Sequence, residues 1–384
     1  MNEKLPNIGI SRQSRLVVFF ACFAVFALPP LAAEIEPFSI ETTNSRALGG
    51  YHAASENDIF CLFGNPAALE IVQYRGFVRF GIGAAGNLNE DAALLNTIFS
   101  GSKIDAAIAT EYGKKNLGFT PPVFYINGPF AVAYAAKGFG IGVFNRLYWD
   151  SAISNNQWTI NFNNDIIGTA GWSITFFDTY NNKLHAGISG KVFNRYMSNI
   201  KSQNITVNKK AAATESPGGR ADKLVFGVGI NAGMLYSFRD FFSAGITCDD
   251  LITPYFFIHL VKDNGNESFI ELPHQKLNIG LSLKPVQNNG IFLNIMADFR
   301  DVLSAVGVFS TQPQDILLYI SAGVECVFMD RISLRAGIKE MYPSAGIGYN
   351  FGAFSINAAF YGKEYGLFAG DCTVYAFELG LTIN

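Results

Sequence analysis

The sequence predicts a membrane-spanning, all-β, antiparallel β-barrel of about fourteen strands with an N-terminal plug segment. Three observations predict it. The 384 residues are 49% apolar and only 15% charged, with a mean hydropathy of +0.20. Yet the longest apolar run, Leu16–Leu28, has 13 residues, short of the ~18 or more that a spanning helix needs. Apolar residues recur instead at every second position over ten residues or more, as on a strand with one apolar and one polar face. Such segments match the ~9–11 residues of a tilted bilayer-crossing strand and exceed the ~5–6 of a soluble sandwich. The same composition excludes intrinsic disorder.

In chain order, residues 1–33 read as a signal peptide. Lys4, Arg12 and Arg15 precede the apolar run, Pro29-Pro30 break it, and Leu31-Ala32-Ala33 offers a cleavage site before Glu34. A membrane anchor, or a lipoprotein signal cut before Cys22, are the alternatives. Removing residues 1–33 takes three basic residues from 28 and one acidic residue from 31. That leaves 25 and 30 and a net charge of −5, which is no footprint for nucleic acid. Residues 34–72 are not strand-like and contain Gly49-Gly50 and Gly64-Asn65-Pro66; they are the expected plug, or hatch, with the barrel over 73–384.

Strands are expected at 73–85, 130–137, 138–150, 166–178, 183–196, 222–237, 241–250, 275–285, 290–300, 316–328, 331–339, 343–351, 353–362 and 372–383. Twelve is the competing count. In one of them Leu277, Ile279, Leu281 and Leu283 alternate with Asn278, Gly280 and Ser282; in the last, Thr373, Tyr375, Phe377, Leu379, Leu381 and Ile383 share a face. Connections alternate long and short. The long ones fall at 86–129, 151–165, 197–221, 251–274, 301–315, a brief 340–342, and 363–371. The short ones carry turn residues such as Lys137-Gly138, Asn181-Asn182 and Asn288-Asn289-Gly290. Short inner turns and long outer loops are the pattern of bacterial outer-membrane barrels, and an even count puts both termini in the periplasm. Residues 90–113 read as outer-loop helices, and 201–223 as a solvent-exposed stretch.

Chemistry-bearing motifs are sparse. Gly81-Ile-Gly83-Ala-Ala-Gly86 matches a dinucleotide fingerprint, but that needs a parallel α/β unit, and glycines in a barrel strand explain it. His52, His185, His259 and His274 have no metal-ligand spacing. Ser189 lacks the spacing of a nucleophile elbow, leaving only a scattered Ser/His lipase as an enzymatic alternative. No cofactor or metal is expected, and the protein reads as a non-enzyme. Cys61, Cys248, Cys326 and Cys372 form no C-x-x-C pair; a Cys326–Cys372 bond stays open.

The polar strand faces say more. With the apolar faces toward lipid, the lumen receives Arg75, Arg79, Lys183, Lys191, Arg195, Lys276, Lys284, Arg300, Arg331, Arg335 and Lys339, against the acids Asp298, Glu325 and Glu378. A charge on the lipid face would cost ~2–4 kcal/mol at the midplane. Arg75, Arg79, Lys191, Arg195 and Arg335 are therefore candidate contacts for an anionic headgroup. The alternative is that these cations pair with plug acids such as Glu56, Asp58 and Glu70.

Two stretches carry a resemblance. Ser45-Arg46-Ala47-Leu48-Gly49-Gly50 and Phe63-Gly64-Asn65-Pro66-Ala67-Ala68-Leu69 resemble the opening of FadL-like outer-membrane proteins, which have an Arg-x-x-Gly-Gly and an Asn-Pro-Ala stretch before the first strand. Tyr342-Pro343-Ser344-Ala345-Gly346 looks like the broader group with TraF-like and PorV-like barrels. The resemblance implies a fourteen-stranded barrel with a hatch built on Arg46, Gly49, Gly50, Asn65 and Pro66. It also implies passage of fatty acids or other hydrophobic molecules, with lipid and a hydrophobic ligand as partners. Phe99, Phe256 and Phe257 are the expected loop contacts for an apolar tail. The rival readings are a scaffolding barrel whose outer loops bind protein, and a diffusion porin with an unfilled lumen.

Overall fold

The computed structural model describes residues 40–55, 59–72, 75–85, 123–154, 157–202, 220–259, 270–271, 275–288, 290–307, 316–364 and 373–383. The signal peptide, Cys22, Glu56, Asp58, the helices expected at 90–113 with Phe99, the stretch 203–219 and Cys372 lie outside the described residues. Among the described residues no helix is long and apolar enough to cross a membrane.

The strands are β1 (Arg75–Ala85), β2 (Val123–Ala136), β3 (Phe139–Ser154), β4 (Gln157–Asp178), β5 (Asn182–Ser202), β6 (Arg220–Phe238), β7 (Phe242–Ile252), β8 (Tyr255–His259), β9 (Ile270–Glu271), β10 (Lys276–Asn288), β11 (Ile291–Phe299), β12 (Ile320–Phe328), β13 (Ile332–Lys339), β14 (Tyr342–Asn350), β15 (Phe354–Glu364) and β16 (Thr373–Ile383). Every ladder is antiparallel. The order runs β5-β4-β3-β2-β1-β16-β15-β14-β13-β12-β11-β10-β7-β6, and β5 pairs with β6, so fourteen strands close a barrel. β8 and β9 add a short hairpin where β7 and β10 stop: β6 pairs with β7 over 230–238 and with β8 over 223–227.

Alternation decides which face meets lipid. Ile279, Leu281, Leu283, Ile332, Leu334, Ile338, Tyr375, Phe377 and Leu379 are exposed on the outside, while Ser282, Asn294, Asp298, Ser344 and Glu378 are buried within. A continuous apolar exterior on a closed sheet is the surface of a barrel that crosses a bilayer.

The fourteen principal strands are those expected, with corrections at their ends. β2 begins at Val123, not at residue 130, because a register shift between Asn127 and Val132 lets the ladder absorb Gly128-Pro129, which break the alternation. Residues 151–154 and 157–165 are strand and not loop: β3 and β4 stay paired out to Ser154 and Gln157. Asn161, Asn163, Asn164 and Asp165 hide this, because a strand lacking an apolar face loses its period-two signal. Residues 251–274 carry β8 and β9, and Ile316–Tyr319 is a 3-10 turn ahead of β12. β4 has 22 residues and β5 has 21, against 8 in β13. At ~3.3 Å per residue, one wall of the barrel extends well beyond the bilayer on the long-connection side.

Candidate functional site

The site is built from the N-terminal segment, 40–55 and 59–72, which lies in the lumen. Its first helix, α1 (Thr43–Ala47), is held by a capping box in which Ser45 N donates to Thr42 Oγ1 and Thr42 N to Ser45 Oγ. The chain then reverses at Gly49 and Gly50, whose φ angles of +79° and +105° favour glycine. A Cβ on Gly49 would also stand 2.6 Å from the Ile338 carbonyl oxygen. A 3-10 turn over Pro66–Glu70 has Pro66 at its first position and Asn65 as its cap, Oδ1 accepting from Ala67 N at 3.1 Å. Asn65 Nδ2 donates to the carbonyls of Ala53 (2.6 Å) and of Met234 on β6 (3.1 Å).

Contacts reach strands around the whole barrel. Ser189 Oγ of β5 donates to the Leu62 carbonyl at 2.8 Å, Ser344 Oγ of β14 to the Ala47 carbonyl at 3.0 Å, and Gly138 N to the Leu69 carbonyl at 2.9 Å. At Gly187, Gly233, Gly245, Gly337 and Gly380 the wall lacks the Cβ atoms that would strike the segment.

Charge fixes the docking. Arg46 Nη1 lies 2.7 Å from Glu378 Oε2 and also donates to the Tyr361 hydroxyl, and Thr43 Oγ1 donates to Glu378 Oε1 at 2.6 Å. Lys339 Nζ meets Glu41 at 2.8 Å; Arg300 donates to the Gly49 and Tyr51 carbonyls; His52 and Ala53 N bond Asp298. Burial raises the Glu41 carboxyl, but Lys339, Arg46 and Arg300 together bring it well below the usual carboxylate range.

Between the segment and the wall is a small recess with room for about one water molecule. Ile40, Phe60, Ala131 and Phe144 supply apolar walls; Arg79, Glu41 and Asn145 supply polar atoms. The rings of Phe60 and Phe63 pack on Phe144 at 5.5 and 5.0 Å. The Arg79 guanidinium lies 5.0 Å over the Phe60 ring and donates to Thr43 Oγ1. Against the ~300–1,000 Å³ of a drug-sized site the recess is closed, and its lining rings pack on one another.

Of the sequence-derived candidates, Arg46, Gly49, Gly50, Asn65, Pro66 and Arg79 come together here. Lys191 and Arg195 are buried in the lumen against Asp250 and Asp165, and Arg335 against Glu325 and Asn357. Their partners are thus mostly acids of the wall, and the segment contributes Glu41 to Lys339. Arg75 lies on β1, and nothing is described of its side chain. Phe256 shares the outer face with Phe226 and is 45% exposed there, away from the lumen; Phe257 is described only by its backbone, across from Val225. Sequence reading missed Glu41, Phe60, Phe144 and Asp165. Asp165 sits 2.6 Å from Arg195 and 2.7 Å from Arg146, and its position inside a polar run disguised it. Ser189 spends its hydroxyl on Leu62, and Gly81 and Gly83 lie in an antiparallel strand. Among the described residues Cys61, Cys248 and Cys326 form no disulfide, and no cluster of three His, Cys, Asp or Glu side chains forms.

The class these features define is a transmembrane β-barrel with its own N-terminal segment seated in the lumen. In fold the chain is similar to a FadL homologue of Pseudomonas aeruginosa (12% identity, 91% of this chain and 99% of that one, TM-score 0.42). It is also similar to the Ralstonia pickettii toluene transporter TbuX (13%, 91% and 98%, 0.46) and to the translocator domain of the Neisseria meningitidis autotransporter NalP (10%, 82% and 88%, 0.37). No protein-family model matches the sequence, and no curated protein does.

Proposed function

We propose that this protein passes hydrophobic or amphipathic small molecules, of the long-chain fatty acid kind, across the bacterial outer membrane. Residues 34–72 act as its plug, and both termini are periplasmic. The observation that carries this reading is the seating of residues 40–55 and 59–72 against the inner wall of a closed barrel with an apolar exterior. A shift of the segment would part Phe60 from Phe144 and Thr43 from Arg79, opening apolar walls to a chain and the guanidinium to a carboxylate. The Arg-x-x-Gly-Gly and Asn-Pro-Ala resemblance supports the same role for the segment.

The test is mass spectrometry of amphiphiles that co-purify with the detergent-extracted protein. A stoichiometric amphiphile in the wild type, lost in Arg79→Ala and kept in Arg335→Ala, is expected; a wild type free of amphiphile would sink the reading. Deleting residues 34–72 should raise single-channel conductance. One observation favours a second reading, a scaffold whose outer loops bind protein: the segment's backbone is seated against Cβ-less wall positions, leaving a filled lumen. An amphiphile-free protein with unchanged wild-type closure would move the assignment there.

A further inference from the structure

Outside the recess, unpartnered polar atoms gather where the β6 ladder breaks. β7 ends at Ile252 and β8 starts at Tyr255; Asp250 has a φ of +54°, and the β6–β7 register shifts between Ile230 and Ala232. The irregular backbone turns both Asp249 and Asp250 toward the lumen side. Asp250 Oδ1 lies 2.6 Å from Lys191 Nζ, and its N–H donates to Asn231 Oδ1 at 3.0 Å. Asp249 Oδ2 accepts from Asn278 Nδ2 at 2.9 Å, but its buried Oδ1 has no partner.

Two further oxygens are orphaned just past the end of β7 and just before the start of β10. Thr253 Oγ1 and Gln275 Oε1 are buried without partners, on residues more than nine-tenths buried. Thr253 Oγ1 and Lys191 Cε flank one point, each 2.6 Å from where a Cβ on Gly229 would stand. Gln275 Nε2 is anchored on the Leu251 carbonyl at 2.9 Å, within the same turn of chain. Buried oxygens without partners are costly, and native proteins meet that cost with a bound water, proton or ion.

We propose that Asp249, Asp250, Thr253 and Gln275 hold one small monovalent cation of the Na⁺ class at this break. The donors are all hard oxygens, which suits an alkali or alkaline-earth ion over a transition metal. Charge selects the monovalent ion: Lys191 neutralises one of two carboxylates, leaving a single negative charge to match. Lys276 faces Asp249 across the ladder but makes no ion pair with it. Ionisable side chains buried at membrane depth pair with one another or mark an ion's path, and the irregular backbone here brings two of them together.

The experiment is thermal unfolding of the full chain in detergent, in NaCl against choline chloride at equal ionic strength. Sodium should raise the Tm by about 2 °C or more, saturably. Asp249→Asn and Thr253→Val should each abolish that difference, while Thr175→Val, elsewhere on the lumen wall, should keep it. Thr253→Val changes one hydroxyl and protects the test if Asp249→Asn fails to fold. A Tm indifferent to sodium assigns the oxygens to water or to a proton on Asp249 and overturns the proposal. So does an equal sodium response in all variants.

Discussion

Asn65 shows how much one side chain does here. It is fully buried, caps the turn beginning at Pro66, and ties that turn to Ala53 and to β6. Asn65→Ala removes the cap and leaves two carbonyls without a donor. Undocking of residues 59–72 should become easier by about 2 kcal/mol, read as faster amide exchange in that segment while the strands stay protected. Glu41 is a second residue with a readable consequence. Its carboxyl is depressed in the folded state, so its contribution to docking is complete above the unfolded carboxylate value of ~4.3 and fades as pH falls below it. Proteolytic accessibility around Arg46 should rise on acidification below pH ~4; in Glu41→Gln it should be higher at neutral pH and flatter with pH.

At the scale of elements, the tight turns around β13 carry strain. Glu340 and Met341 have φ angles of +54° and +72°, and Met329 and Asp330 of +51° and +56°. Two-residue hairpins demand these values and are usually made by Asn-Gly, since a Cβ costs ~1 kcal/mol or more there. Met341→Gly should therefore stabilise the barrel by about 1 kcal/mol, seen as a higher urea midpoint in lipid vesicles. The sequence placed β13 and β14 well because their strict alternation survives in the burial pattern. It misplaced the ends of β2, β3 and β4, where Gly128-Pro129 or a polar run removed the signal.

At the scale of the molecule, the barrel is apolar outside and polar and charged inside, which inverts a soluble protein. Ile347, on β14, is 56% exposed on the outer face. Ile347→Arg should cost ~2–4 kcal/mol near the midplane when unfolding is followed in lipid vesicles. The loss should be far smaller at the exposed end of the same strand, at Asn350→Arg. The cations inside are held mainly by wall acids and by Glu41, so the lumen is an ion-paired lining around a seated segment.

The sequence by itself determined the barrel, its fourteen strands, the inward charges and the segment motifs. Each of these is a local or period-two property written along the chain. Only the tertiary structure decided which charges meet, because ladder register and closure bring Arg46 to Glu378 and Lys191 to Asp250 across long sequence separations. It also decided that Phe60, Phe144 and Arg79 share one recess: their convergence depends on how the N-terminal segment seats against glycines of the wall, which no pattern along a single strand records.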